Sequence, residues 1–211
     1  MSWLSRLRAR IKGSLYGGGE RDRGDHPDDI VSALALRDGD LVADLGSGGG
    51  YFTFRLARAV APSGVVFAVD TDRDLLAEIE RRAAREALPV TTVRALPDAS
   101  DLPRPVDVVF ASHSYHHLPD RPAYFRRLRA SLRPGGRVAI VEGRPTGFFR
   151  RLFGHVTAPD AIRDEMSSAG FALTASHDIA PKDSFQVFAL DPGQDVNQGS
   201  NDVDGGATLR R

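Results

Sequence analysis

The 211-residue chain contains no cysteine. That rules out disulfides, thiolate metal ligands and a thiol nucleophile, and it suits a reducing compartment. Lysine is nearly missing too: Lys12 and Lys182 are the only two, so arginine carries almost all the positive charge, which reads as coding bias. Neither sign of charge is in surplus, since 28 basic residues balance 28 acidic ones, and no basic stripe announces a nucleic acid partner. No apolar run approaches the roughly 20 residues that a bilayer span needs. The first residues are basic but lack the unbroken apolar stretch of a secretory signal, so a cytoplasmic location is expected. There is no internal repeat, and nothing speaks to oligomeric state. The length suits one domain with a sizeable core.

What is present is a βα rhythm. Short runs rich in Val, Leu, Ile and Phe predict strands at 40–45, 65–70, 90–95, 106–112 and 136–142, each buried on both faces. Helices are predicted between them at 51–61, 72–87 and 120–132, and ahead of them from Pro27 to Leu36. Pro134-Gly135-Gly136 is expected to form a turn before the fifth strand. Such alternation implies a parallel sheet with helices on both faces. A helix at 159–169 follows, then two strand-like runs, 171–177 and 184–190. Their short connection predicts an antiparallel hairpin. Residues 191–211 are polar and Gly-rich and are expected to be a disordered tail. Residues 1–24 predict a basic amphipathic helix, carrying Leu4, Leu7, Ile11 and Leu15, closed by the hinge Gly17-Gly18-Gly19.

The first strand runs into Asp44-Leu45-Gly46-Ser47-Gly48-Gly49-Gly50. Small residues there let the backbone approach a ligand, and the following helix offers free N–H groups. A dinucleotide fingerprint would place glycine or alanine where Tyr51 stands, which disfavours a pyrophosphate. The turn suits a ligand bearing a carboxylate and an ammonium, the latter attracted by Asp44. Asp70 closes the second strand, where an acidic residue accepts hydrogen bonds from ribose hydroxyls. The plainer reading is a tight βα turn with a surface carboxylate.

At these residues the chain resembles a known family. The stretch VADLGSGGGYFTFRLARAVAPSGVVFAVD resembles the first two motifs of class I S-adenosylmethionine-dependent methyltransferases. The stretch PVDVVFASHSYHHLPDRPAYFRRLRASLRPGGRVAIVE is similar to their fourth strand, the helix after it and the fifth strand. The resemblance spans residues 25–190. It implies a Rossmann-like three-layer α/β sandwich with a seven-stranded, mostly parallel sheet whose last strand is antiparallel. It implies S-adenosyl-L-methionine as cofactor, with Asp44, Gly46, Ser47, Gly48 and Gly50 at its methionine portion and Asp70 at the ribose. Thr71 and Asp72 would lie beside the adenine, Asp98 at its amino group, Leu96 and Pro97 against the ring, and Ser112 and His113 near the methionine.

Methyl transfer from a sulfonium is an in-line displacement, and a base is needed only when the acceptor carries a proton at attack. Candidates for that role lie in the run Ser112 to His117 at the end of the fourth strand, where His113, Tyr115, His116 and His117 could each serve, and at His155 in the loop 143–158. Packing against cofactor and sheet is the plainer expectation for His117 and an equal one for His116. Arg144 could hold an anionic acceptor or be a solvated loop residue, and His26 or Tyr16 could contact substrate from a lid. No metal site is expected, because adjacent histidines should point apart and no acidic partner is evident.

Two segments place large apolar groups beside arginines: residues 3–15 and the loop Gly147 to Phe153. They fit either packing across the fold or a lipophilic substrate mouth with a weak membrane-surface contact. The expected function is methyl transfer to a small-molecule acceptor. The alternative is a non-catalytic S-adenosylmethionine-binding regulatory module. Methylation of nucleic acid or protein is less well supported, because no Asn-Pro-Pro-Tyr or Asp-Pro-Pro-Tyr run follows the fourth strand.

Overall fold

The computed structural model describes residues 26–95, 102–144, 156–179 and 181–193. The expected N-terminal helix and hinge, the aromatic loop to Phe153, and the tail from 194 onward lie outside them, as do Tyr16, Leu96, Pro97, Asp98 and His155. Helix α1 (Pro27–Ala33) leads into β1 (Leu41–Leu45), α2 (Thr53–Val60), β2 (Val65–Asp70), α3 (Arg73–Glu86), β3 (Val90–Arg94) and β4 (Val106–Ser112). A 3₁₀ turn (Tyr115–His117), α4 (Arg121–Leu128) and a second 3₁₀ turn (Arg129–Ser131) precede β5 (Leu132–Gly143), α5 (Pro159–Ser168), β6 (Phe171–His177) and β7 (Asp183–Leu190).

The strands form one seven-stranded sheet in the order β3-β2-β1-β4-β5-β7-β6. All neighbours pair in parallel except β7, which is antiparallel to both β5 and β6. The hairpin expected from its short connection is therefore present. It closes by placing β7 between β5 and β6, so β6 becomes the edge.

Side chains alternate across the sheet, as strand geometry demands. Ala43, Leu45, Phe67, Val69, Val109 and Ala111 face one layer, where Tyr124, Phe125 and Leu128 of α4 and Ile162 and Met166 of α5 meet them. Val42, Val66, Val108 and Phe110 face the other, against Ile30 of α1 and Leu56, Ala57 and Val60 of α2. Phe54, Ala68, Ile79 and Ala83 extend that layer to α3. Burying a side chain such as Leu56 or Phe110, both fully covered, contributes roughly 1.5–3 kcal/mol.

Two expectations need correction. The β3 strand is not buried on both faces: Thr91 and Arg94 are exposed, because β3 is an edge. The Pro134-Gly135-Gly136 turn does not precede β5 but interrupts it. Pairing with β4 jumps from Val106↔Leu132 to Val108↔Arg137. The turn is accommodated as a bulge, with Gly135 at φ +77°.

Candidate active site

The carboxyl ends of β1, β2 and β4 open on a cavity of about 690 Å³, at the point where strand order reverses and open α/β sheets place ligands. Its floor is the glycine-rich turn. Gly46 and Ser47 both donate backbone hydrogen bonds to the Val69 carbonyl, at 2.8 and 3.0 Å, which pins the turn to the end of β2. Gly46, Gly48 and Gly50 have φ of +71°, +53° and +83°, a region costly for side chains with a Cβ. At Gly46 space forbids one too: a Cβ would stand 2.4 Å from that of Ser114. Ser114 Oγ in turn donates to the Leu45 carbonyl at 2.6 Å, tying β4 to the turn.

Asp70 is oriented by its own backbone surroundings. One carboxylate oxygen accepts from Gly48 N–H and the other from Asp72 N–H, each at 2.8 Å. Second lone pairs on both oxygens remain for ligand hydroxyls. Asp72 lines the cavity, but its carboxylate caps α3 by accepting from Asp74 and Leu75 N–H.

Asp44 is buried and accepts from the Thr53 hydroxyl at 2.6 Å. Loss of solvent pushes its carboxyl up to about 7; the Thr53 bond opposes the shift and the nearby Asp70 charge adds to it. The Ser47 hydroxyl, also in the cavity wall, is buried without a hydrogen-bond partner among the described residues. An orphaned hydroxyl costs roughly 1–3 kcal/mol, so this wall fits a polar ligand group. The residues therefore suit the methionine and ribose portions of the expected cofactor.

Of the candidate site residues, Asp44, Gly46, Ser47, Gly48, Asp70, Thr71, Asp72, Ser112, His113 and His117 line the cavity. Gly50 does not; it packs under the turn, where a Cβ would meet Phe54 at 2.5 Å. Tyr115 is a correction. It is fully buried, stacks on Phe125, and donates its hydroxyl to Glu165 at 2.6 Å, while Arg121 holds the same carboxylate with two bonds. Burial and that carboxylate both raise the phenol's pKa, and its hydroxyl is directed to Glu165, not to the cavity. Tyr115→Phe should cost about 1 kcal/mol of stability and leave cofactor affinity unchanged, as thermal melts with and without cofactor would check.

His116 turns away from the cavity wall to Glu142, a fully buried carboxylate at the end of β5. Glu142 accepts from His116 Nδ1 at 2.9 Å and from the His116 and Gly143 N–H groups at 3.3 and 3.0 Å. The acidic partner not evident in the sequence is thus present, and the His116 and His117 rings lie 4.0 Å apart rather than pointing apart. No cluster of metal-ligating residues occurs among the described residues. Arg144 bonds the Asp183 carbonyl and the Asp178 carboxylate. His26 is exposed, beside Asp29. Sequence reasoning missed Leu75, Pro119 and Tyr124 in the wall, and Asp183 behind it.

A mostly parallel α/β sheet with a glycine turn, a ribose-ready acid and no dinucleotide fingerprint defines a protein built for a nucleoside-bearing ligand. Residues 42–136 match the model of a methyltransferase domain. The 2-phytyl-1,4-naphtoquinone methyltransferase of Synechococcus elongatus is 31% identical over 166 residues, 74% of this chain and 71% of that protein. The 27-O-demethylrifamycin SV methyltransferase of Amycolatopsis mediterranei is 34% identical over 118 residues, 54% of this chain but only 43% of that longer protein. A SAM dependent methyltransferase from Aquifex aeolicus superposes with a TM-score of 0.75 at 18% identity, covering 84% of this chain and 96% of that one, which supports the fold. The chain belongs to the class I S-adenosylmethionine-dependent methyltransferases.

Proposed function

We propose that the chain transfers a methyl group from S-adenosylmethionine to a lipophilic small molecule held over the carboxyl ends of β4 and β5. One observation carries the cofactor half. The unpartnered Ser47 hydroxyl, the buried Asp44 carboxylate and the pinned Asp70 carboxylate converge on one cavity. In this reading Asp44 and Ser47 take the methionine ends, Asp70 the ribose, and Thr71, Leu75 and Ala95 flank the base. The cofactor supplies an electrophilic methyl group; the protein aligns the acceptor with it and excludes water.

The acceptor half rests on Leu118, Pro119 and Tyr124, which add large apolar surface to the cavity lining. The relatives named for a rifamycin and a phytyl naphtoquinone are in keeping with it. Among the described residues no helix is long and apolar enough to cross a membrane. The segments proposed for a weak membrane-surface contact are residues 3–15 and the loop Gly147 to Phe153.

Thermal melts are expected to rise with S-adenosylmethionine and not with NAD; stabilisation by NAD alone would sink the reading. Asp70→Ala should weaken cofactor affinity about 100-fold or more, since two hydrogen bonds to a charged group are lost. Methyl-labelled cofactor incubated with a metabolite extract should yield a labelled product. Cofactor binding with no product would favour a regulatory module.

A further inference from the structure

Beside the cofactor residues, the cavity wall holds three groups in a line. Ser112 Oγ lies 3.1 Å from His113 Nδ1, and His113 Nε2 lies 3.2 Å from Asp183 Oδ1. Ser112 and His113 both line the cavity; Asp183 sits behind them, 7% exposed, at the first position of β7. A carboxylate can only accept, so the imidazole proton belongs on Nε2. That leaves the Nδ1 lone pair to receive the Ser112 hydroxyl proton and frees the serine oxygen's lone pairs for a group in the cavity.

The arrangement is built rather than incidental. His113 is held at φ +52°, a conformation unusual for a residue with a Cβ, and its N–H donates to the Val141 carbonyl at 2.9 Å. The backbone of Asp183 is fixed by β5–β7 pairing opposite Gly143, and its carbonyl accepts from Arg144 Nε at 2.7 Å. A Cβ at Gly143 would come within 3.9 Å of the Asp183 carboxylate and 3.0 Å of Val156.

We propose that Ser112, His113 and Asp183 form a proton relay that deprotonates a hydroxyl-bearing acceptor as it is methylated. This rests on the methyltransferase function proposed above and narrows its substrate to molecules whose reacting oxygen carries a proton. The acceptor proton passes to Ser112 Oγ as the serine's own proton moves to His113 Nδ1. The oxygen's electron pair forms the bond to the methyl carbon, and the carbon–sulfur bond breaks with its pair left on a neutral thioether. The imidazolium, held by Asp183, returns its proton to water. Ser112 and His113 are the catalytic residues, and Asp183 is a positioning residue.

Two probes of one shape separate base catalysis from mere packing: 2-naphthol, which must lose a proton, and 2-naphthalenethiol, largely ionised at pH 8. Wild type should methylate both. His113→Gln and Ser112→Ala should slow naphthol methylation by about 100-fold or more, the usual worth of a general base, beyond whatever loss they cause in thiol methylation. Equal losses on both probes would overturn the relay, as would wild-type methylation of the thiol alone or of neither probe. A readout without turnover uses imidazole ¹⁵N spectra of the ligand-free protein. His113 should appear as the Nε2–H tautomer, and Asp183→Ala should abolish that preference, with Asp183→Asn as the size-matched control for folding. An Nδ1–H tautomer in wild type would overturn the proposal. Calorimetric binding of S-adenosylmethionine, run in parallel, distinguishes the two failures: loss of binding by wild type would strike the methyltransferase function itself.

Discussion

Asp44→Asn is expected to stabilise the ligand-free protein at pH 8 and to remove most of its affinity for S-adenosylmethionine. Asp44 is buried, and burial raises its carboxyl from an ordinary 3.8 to about 7. The folded state therefore binds this proton more tightly than the unfolded chain does. Its contribution to stability is whole below about pH 4 and is lost progressively as pH rises through 7, because the unfolded chain ionises first. At about 1.4 kcal/mol per unit, the full loss above pH 7 is on the order of 4 kcal/mol. An asparagine does not titrate and its oxygen can still accept from Thr53. Its melting temperature should draw ahead of wild type between about pH 4 and 7 and stay ahead beyond. A constant offset at every pH would sink this account.

Cofactor binding has the opposite dependence. An ammonium favours ionised Asp44, so wild-type affinity should fall as pH drops below 7, and binding near pH 6 should release about one proton. Calorimetry in buffers of different ionisation enthalpy measures that release. The asparagine variant should show none, with affinity lower by about 10- to 100-fold, the worth of one charge-assisted hydrogen bond. In the proposed role, the burial that makes Asp44 costly in the empty protein is the same property that would let it hold a cation.

That much of the cofactor site was legible because it is local. Asp44 through Gly50 is one continuous turn, and Asp70 lies at the end of the next strand, so both can be placed from strand ends alone. The β7 reversal was legible because the chain between 177 and 183 is too short for a crossover. The acceptor side was not legible, because its contacts span the sheet. His113 meets Asp183 across 70 positions and His116 meets Glu142 across 26. Which of the six polar side chains from Ser112 to His117 faces the cavity depends on the positive φ of His113 and on the tight 3₁₀ turn after it. Neither has a sequence signal as plain as a glycine. Tyr115 was misread for that reason: the turn rotates it into the layer of Phe125 and Glu165. One available signal went unused, an acid ending the buried run Val138 to Val141, where only a partnered carboxylate is tolerated.

That acid should prove the costliest single side chain to remove on the acceptor side. Glu142 is fully buried and accepts three hydrogen bonds, two of them from His116. Glu142→Ala leaves those donors without their acceptor in a largely buried setting, at about 1–3 kcal/mol for each that finds no other partner. For a chain of this length, each kcal/mol lost lowers the melting temperature by roughly 2–4 °C. Glu142→Gln keeps the shape and one acceptor oxygen but turns an amide N–H₂ toward a donor, so it should lose less. The carboxylate also anchors the 3₁₀ turn from which His117, Leu118 and Pro119 reach the cavity. Where Glu142→Gln remains folded, its acceptor KM should rise while cofactor affinity, set at β1 and β2, stays close to wild type. Equal weakening of both would mean that the carboxylate supports the whole cavity and not the acceptor wall alone.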